Sequence, residues 1–165
     1  MIGWWAGKVR QFRRHLTGRV TEAERASLDA WLSPAQTALF DAMPRADRRH
    51  GLDVVMQLRE SGHAGDDDLL LAGLLHDCGK GPGVGIWHRV AWSLGERYGE
   101  RVLSLTGRVP GFRTAFERIR VHADLSAEMA LAAGCSPRAA DLIRYQSEPV
   151  DPVAGEALRL ADEAS

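Results

Sequence analysis

The sequence predicts an all-α protein built as one domain, on three observations. Apolar residues recur at helical spacing, helix-opening caps precede most apolar segments, and alternating strand patterns are almost absent. At 165 residues the chain is long enough to bury a sizeable core. Hydrophobic residues make up 45%, charged residues 26%, and the formal net charge is -1. That balance argues for a soluble globular protein and against binding to a nucleic-acid polymer. No run approaches the apolar length of a membrane span, and the first residues lack the order of a secretory signal. Cys78 and Cys135 have neither CxxC spacing nor a disulfide framework, which suits a reducing, cytoplasmic setting.

The elements follow in order. Trp4, Trp5, Val9, Phe12 and Leu16 oppose Lys8, Arg10, Arg13, Arg14 and Arg19, the pattern of a basic amphipathic helix. Such a helix docks on its own domain or on a second copy. The rarer alternative is weak contact of residues 1–20 with an anionic membrane surface. Thr21 and Glu24 have capping-box form and open a helix through Leu28 and Trp31. Ser33-Pro34 is an N-cap followed by proline at the first helical position. Pro44 starts a helix bearing His50, Val54, Val55 and Leu58, which stops near Gly62.

Asp66, Asp67 and Asp68 open the next helix; three acids there complement its dipole and need no metal to explain them. The helix over residues 69–77 is apolar nearly all round and should be the buried centre. Gly79, Gly81, Pro82, Gly83 and Gly85 end it in a loop. Helical patterns return over residues 86–98 and 110–121. Asp124 caps a stretch to Gly134, Ser136-Pro137 caps residues 139–145, and Asp151-Pro152 opens the last helix, which carries Asp162. Residues 1–43 read as a helical extension and 44–165 as the main domain.

Candidate chemistry centres on Leu74-Leu75-His76-Asp77-Cys78-Gly79-Lys80, where an imidazole and a carboxylate end a strongly apolar run. Burying both is costly unless they are compensated, and a divalent cation does that well. His50 upstream and Asp162 downstream complete a spaced set of His, His-Asp and Asp. Taken alone, His50 reads as a surface or capping histidine, and Asp162 as solvent-facing, although Leu158, Leu160 and Ala161 put it at the edge of an apolar face.

With those residues in view, the chain resembles the HD-domain superfamily of metal-dependent phosphohydrolases, an all-helical fold with the pattern H…HD…D. The matching residues are His50, His76, Asp77 and Asp162. The word around His76-Asp77 is similar to the family's LLHDIGK, and Leu160-Ala161-Asp162 to its closing lAD segment. The resemblance covers roughly residues 44 to 165. It implies that the four residues bind one divalent cation, of manganese, cobalt, nickel, iron or magnesium, and that the substrate is a small phosphorylated molecule of the nucleotide kind. Mixed imidazole and carboxylate ligation agrees with such ions.

The same resemblance assigns further roles. Asp77 belongs to the catalytic group as well as to the metal set. Lys80 either neutralises phosphate charge or simply satisfies a helix C-terminus, and the family word favours the first. The stretch Val121-His122-Ala123-Asp124-Leu125-Ser126-Ala127-Glu128 is similar to the HpelGaE segment of relatives with a second metal. Their downstream histidine pair is replaced here by Tyr145 and Gln146, both poor ligands. The expectation is therefore a mononuclear site, with His122 as a substrate contact, a general acid or a supporting residue. Arg49 and Arg144 are either phosphate partners or, more commonly, solvated; His63 and His88 are expected to be exposed. Trp87 and Trp92 are expected in the core, and Cys78 as a small buried filler. The rival function is a catalytically inactive ligand-binding or regulatory module on the same helices.

Overall fold

The computed structural model describes residues 18–165, and all secondary structure among them is helical. The amphipathic stretch of residues 4–16 lies outside the described residues. The helices are α1 (Glu22–Leu28), α2 (Pro34–Ala42), α3 (Arg45–Leu58), α4 (Asp67–Leu75), α5 (Ile86–Tyr98), α6 (Glu100–Thr106), α7 (Phe112–Ala132), α8 (Pro137–Arg144) and α9 (Ala154–Ala164). A wide turn, Arg59–His63, ends α3, and Gly62 breaks it at φ 96°.

Local chemistry accounts for most starts. Thr21 and Glu24 form a reciprocal capping box at α1, and Ser33 and Gln36 form another at α2. Asp66 accepts from the Leu69 N–H to cap α4, and Ser136 accepts from the Ala139 N–H to cap α8. Asp66 is thus a structural cap, with Asp67 and Asp68 in the first turn of α4. Asp66 also pairs with Arg138 at 2.6 Å and Asp68 accepts from Ser136 at 2.6 Å, tying the starts of α4 and α8 together.

Every residue from Leu69 to Leu75 is buried, so α4 is the central helix that the sequence predicts. Around it, α3, α8 and α9 pack directly, and α7 packs along α8. Leu28, Phe40 and Met43 enter this same core, so the part of the N-terminal extension described here is fused to the rest by packing. A second, smaller cluster lies between α5, α6 and α7. Val84, Ala91, Ala115, Phe116 and Ile119 form it, with Trp92, Leu103 and Phe112 against them.

Several expectations fail here for physical reasons. Asp124 does not cap a new helix: the 21-residue α7 runs unbroken through it. Ala115, Phe116, Ile119, Ser126, Ala127 and Ala130 keep one buried face in register, and Asp124 lies on the opposite, exposed side near the Arg144 guanidinium. The short α6 escaped the sequence reading, because residues 100–106 carry no N-cap side chain and owe their place to packing of Leu103 on Gly95. The last helix begins at Ala154 rather than at Pro152; Asp151 accepts from the N–H groups of Val153 and Ala154 ahead of it. Trp87 is 67% exposed instead of buried, whereas Trp92 packs as expected. His63 and His88 are half-buried, not exposed, and His88 sits edge-on against Phe112. Among the described residues no helix is long and apolar enough to cross a membrane.

Candidate metal centre

Two glycines let the backbone close around the site. At Gly51 a Cβ would lie 2.4 Å from the Leu74 carbonyl oxygen, so α3 and α4 touch through bare backbone. The neighbours in sequence, His50 on α3 and His76 at the end of α4, are thereby brought together with ring centroids 5.2 Å apart. His76 is the C-cap of α4, its N–H donating to Ala72 at 2.9 Å, and Asp77 follows at φ -101°, ψ 1°. The chain then makes the 3-10 turn Cys78–Lys80.

Gly79 is the second close approach. Its N–H donates to Ser126 Oγ at 2.8 Å, and its carbonyl accepts from Arg118 Nε at 2.6 Å. A Cβ at Gly79 would sit 2.5 Å from the His122 carbonyl oxygen and 2.7 Å from the Ser126 nitrogen. The turn is therefore pressed flat on α7, which presents His122 to Asp77. From the other side α9 supplies Asp162. Four helices and one turn converge.

The ligand-type atoms meet closely. His50 Nε2, His76 and Asp77 each offer one atom within 4.8 Å of the others. Asp162 Oδ1 lies 2.7 Å from His50 Nε2 and 3.5 Å from His76 Nε2. Asp77 Oδ1 lies 3.5 Å from His76 Nε2 and 3.5 Å from His122 Nε2. Two ligands held about 2.1 Å from one ion lie roughly 3.0–3.4 Å apart, so the 3.5 Å spacings come close to those of a shared cation, while the 2.7 Å approach of His50 and Asp162 is a direct hydrogen bond.

Hydrogen bonding fits the same ion. His76 Nδ1 is 2.9 Å from the Gly73 carbonyl, which can only accept, so Nδ1 carries a hydrogen and Nε2 is the nitrogen turned inward, able to bind a cation once its own proton is displaced. His122 is held likewise, with Nδ1 2.5 Å from the Ile119 carbonyl. Among the described residues, His76 Nε2 and Asp77 Oδ1 are buried side-chain atoms without a hydrogen-bond partner. Leaving such atoms unmatched is costly, and a divalent ion satisfies both at once. The cluster of His50, His76 and Asp77 can hold a metal ion.

Charge is concentrated here. Burial works to lower the His76 pKa, but the Asp77 and Asp162 carboxylates outweigh it and push it up to about 9. Burial would raise Asp77, yet Lys80 and then the surrounding imidazoles hold it well below the usual carboxylate range. Desolvation opposes ionisation of Asp162, 42% exposed at its side chain, but the hydrogen-bonded His50 ring and then the neighbouring His76 imidazole drive its pKa far down. Desolvation and then Lys80 lower His122 despite the pull of Asp77, which keeps its ring neutral near pH 7. The Lys80 ammonium bonds Asp77 Oδ2 at 2.6 Å.

The remaining candidates separate cleanly. Arg49 is bound to Glu24 at 2.6 Å and to Asp53 at 2.8 Å, a structural clamp of α3 on α1 rather than a solvated or phosphate-facing side chain. Arg144 pairs with Asp141 at 3.0 Å on the surface. Cys78 is buried, its thiol pushed up to about 12 mainly by desolvation, as a filler would be. Tyr145 is exposed, while the Gln146 amide is buried and donates to the His76 carbonyl at 3.4 Å, bracing the ligand's backbone.

One pair was not anticipated from the sequence. Asp47, 0% exposed on α3 one turn before His50, binds Arg89 of α5 at 2.7 Å, and Arg89 Nη1 lies 4.0 Å from Asp77 Oδ2. The signal was the shared helical face of Asp47, His50 and Gly51; nothing local indicates its partner 42 residues away. Comparison of the chain with protein-family models, curated proteins and solved structures returns no match.

Proposed function

We propose that the chain is an HD-type, metal-dependent phosphohydrolase of the cytoplasm, acting on a small phosphorylated molecule of the nucleotide kind. The observation that carries this reading is the pair of buried, partnerless ligand atoms, His76 Nε2 and Asp77 Oδ1, facing each other 3.5 Å apart. His50, His76, Asp77 and Asp162 would hold one ion. When bound, a divalent cation in such a setting acidifies water and polarises a phosphoryl oxygen.

The chain's own groups do the rest. The histidine ligands are oriented by carbonyl bonds and packed helices, so little reorganisation is needed on binding. Lys80, anchored on Asp77, places a compact positive charge at the rim for a phosphate oxygen. His122 Nε2 faces Asp77 with Nδ1 fixed, so the neutral ring takes up or returns a proton at Nε2. The Tyr145-Gln146 arrangement supports a single ion, because the buried amide is engaged with the His76 backbone.

The test pairs elemental analysis with turnover of p-nitrophenyl phosphate and nucleoside monophosphates in manganese. We expect about one ion per chain and metal-dependent turnover, both lost in Asp77→Ala while circular dichroism stays helical. Turnover indifferent to metal, or no metal uptake at all, refutes the reading. The rival, a ligand-binding module without turnover, draws on the engagement of Lys80 by Asp77 at 2.6 Å. One ion per chain with phosphate binding but no hydrolysis of either substrate class would favour it.

A further inference from the structure

We propose that Arg89 is the cation that orients the substrate phosphoryl group, its guanidinium aimed by the buried carboxylate of Asp47. This rests on the phosphohydrolase reading above, but its central measurement does not require turnover.

Asp47 is the starting point, because its burial is otherwise hard to explain. Its side chain is 0% exposed, and both its oxygens approach Arg89 Nη2, at 2.7 and 2.8 Å. A buried ion pair is weak grounds for stability, since removing two charges from water offsets most of their attraction. What the pair does accomplish is geometric. Nη2 donates to Asp47 Oδ2, and Nε leans on the Val84 carbonyl at 3.4 Å. Two points fix a planar fork, so Nη1 has one direction left.

That direction is the metal centre. Nη1 lies 4.0 Å from Asp77 Oδ2, too far for a hydrogen bond, and among the described residues it donates none. The side chain remains 18% exposed, as does that of Lys80. Lys80 already bonds the same Asp77 oxygen at 2.6 Å. The arginine is thus a second cation at the rim beside Lys80, with a whole guanidinium nitrogen unengaged among the described residues and held rigidly beside the ligand carboxylate. A phosphoryl oxygen entering between Nη1 and the Asp77 edge would receive a charge-assisted hydrogen bond without any reorganisation of the guanidinium. Asp47 acts through Arg89 and is a positioning residue. It sits three residues before His50 on α3, so one helix sets both the ligand histidine and the aim of the arginine.

The experiment uses inorganic phosphate as the probe on the manganese-loaded full chain, read by isothermal titration calorimetry, with metal content and melting temperature measured on the same samples. Arg89→Gln should weaken phosphate binding roughly ten- to hundredfold, the loss of one charge-assisted hydrogen bond. Metal content should stay at the wild-type level. Arg89→Lys should recover part of the loss, and Asp47→Asn should weaken binding less than Arg89→Gln. Because Arg89→Gln strands a buried carboxylate, Asp47→Asn/Arg89→Gln provides the same comparison without a buried charge. A purely structural clamp would lower the melting temperature of that double variant and leave phosphate affinity unchanged, which would overturn the proposal. So would a wild-type chain that takes up metal and binds no phosphate. Arg89-dependent phosphate binding without hydrolysis would sustain this inference and sink the phosphohydrolase reading; hydrolysis insensitive to Arg89 would do the reverse.

Discussion

Replacing Gly51 by alanine sets two well-known effects against each other. Gly51 lies inside α3, and helix propensity alone favours alanine there by about 1 kcal/mol. The tertiary contact opposes it. A Cβ would meet the Leu74 carbonyl oxygen at 2.4 Å, its carbon at 3.2 Å and its Cα at 3.4 Å, all backbone atoms that cannot rotate away. Restoring ordinary contact requires α3 and α4 to part by about 1 Å, and overpacking of this kind costs roughly 1–3 kcal/mol or more. The net expectation is a destabilisation of about 1–2 kcal/mol, read as a lower urea midpoint with an unchanged slope. The same movement separates His50 from His76, so metal affinity should fall at least tenfold, in line with losses from disturbed ligand support. Gly73→Ala is the internal control: its Cβ would meet the Leu58 and Val54 side chains at 2.8 and 3.1 Å, groups that can shift. It should cost less and spare the metal. A Gly51→Ala chain as stable as wild type, with metal retained, would refute the close-approach argument.

Three further outcomes are expected. Phe40→Ala should cost about 3–5 kcal/mol in urea unfolding, because Phe40 is fully buried in the main core; a loss below about 1 kcal/mol would detach residues 18–43 from the domain. His122→Ala should keep its metal and lose about 10²–10⁴ in kcat for p-nitrophenyl phosphate, whereas loss of the ion would make His122 a ligand. In the metal-free chain, the pKa of His76 is raised, so its stabilising contribution is complete below pH 6.5 and is lost as pH rises through about 9. Thermal melts should therefore fall across that interval. Manganese affinity should tighten over the same range as the metal displaces the proton. Melts and affinities flat between pH 6.5 and 9 would contradict the assignment of that proton.

The legible parts of this protein were those decided within a few residues. The capping pairs Thr21–Glu24 and Ser33–Gln36 and the Asp66 cap act over three residues, so the helices they open could be read directly. The all-round apolar run from Leu69 to Leu75 can satisfy itself only at the centre, and that is where it lies. His76 and Asp77 stood out because ligand-type side chains at the end of such a run demand compensation. Local signals misled where packing overrode them. Asp124 looks like a cap but is carried through by the buried face of α7, and Trp87 is apolar in composition yet lies outside the second core.

By itself, then, the sequence determined an all-helical chain, its buried centre and the residue types able to hold a cation. The tertiary structure alone decided which of those residues meet. His50 and Asp162 are 112 positions apart and come within 2.7 Å; Asp47 reaches Arg89 across 42. Two more meetings turn on close backbone approach: the missing Cβ of Gly51 at Leu74 lets α3 bring His50 against His76, and that of Gly79 at α7 lets Asp77 face His122. A helix's own hydrogen bonds close over four residues and carry no information about what lies across the next interface. That information resides in the complementary shapes of two surfaces, and those exist only once the chain has folded.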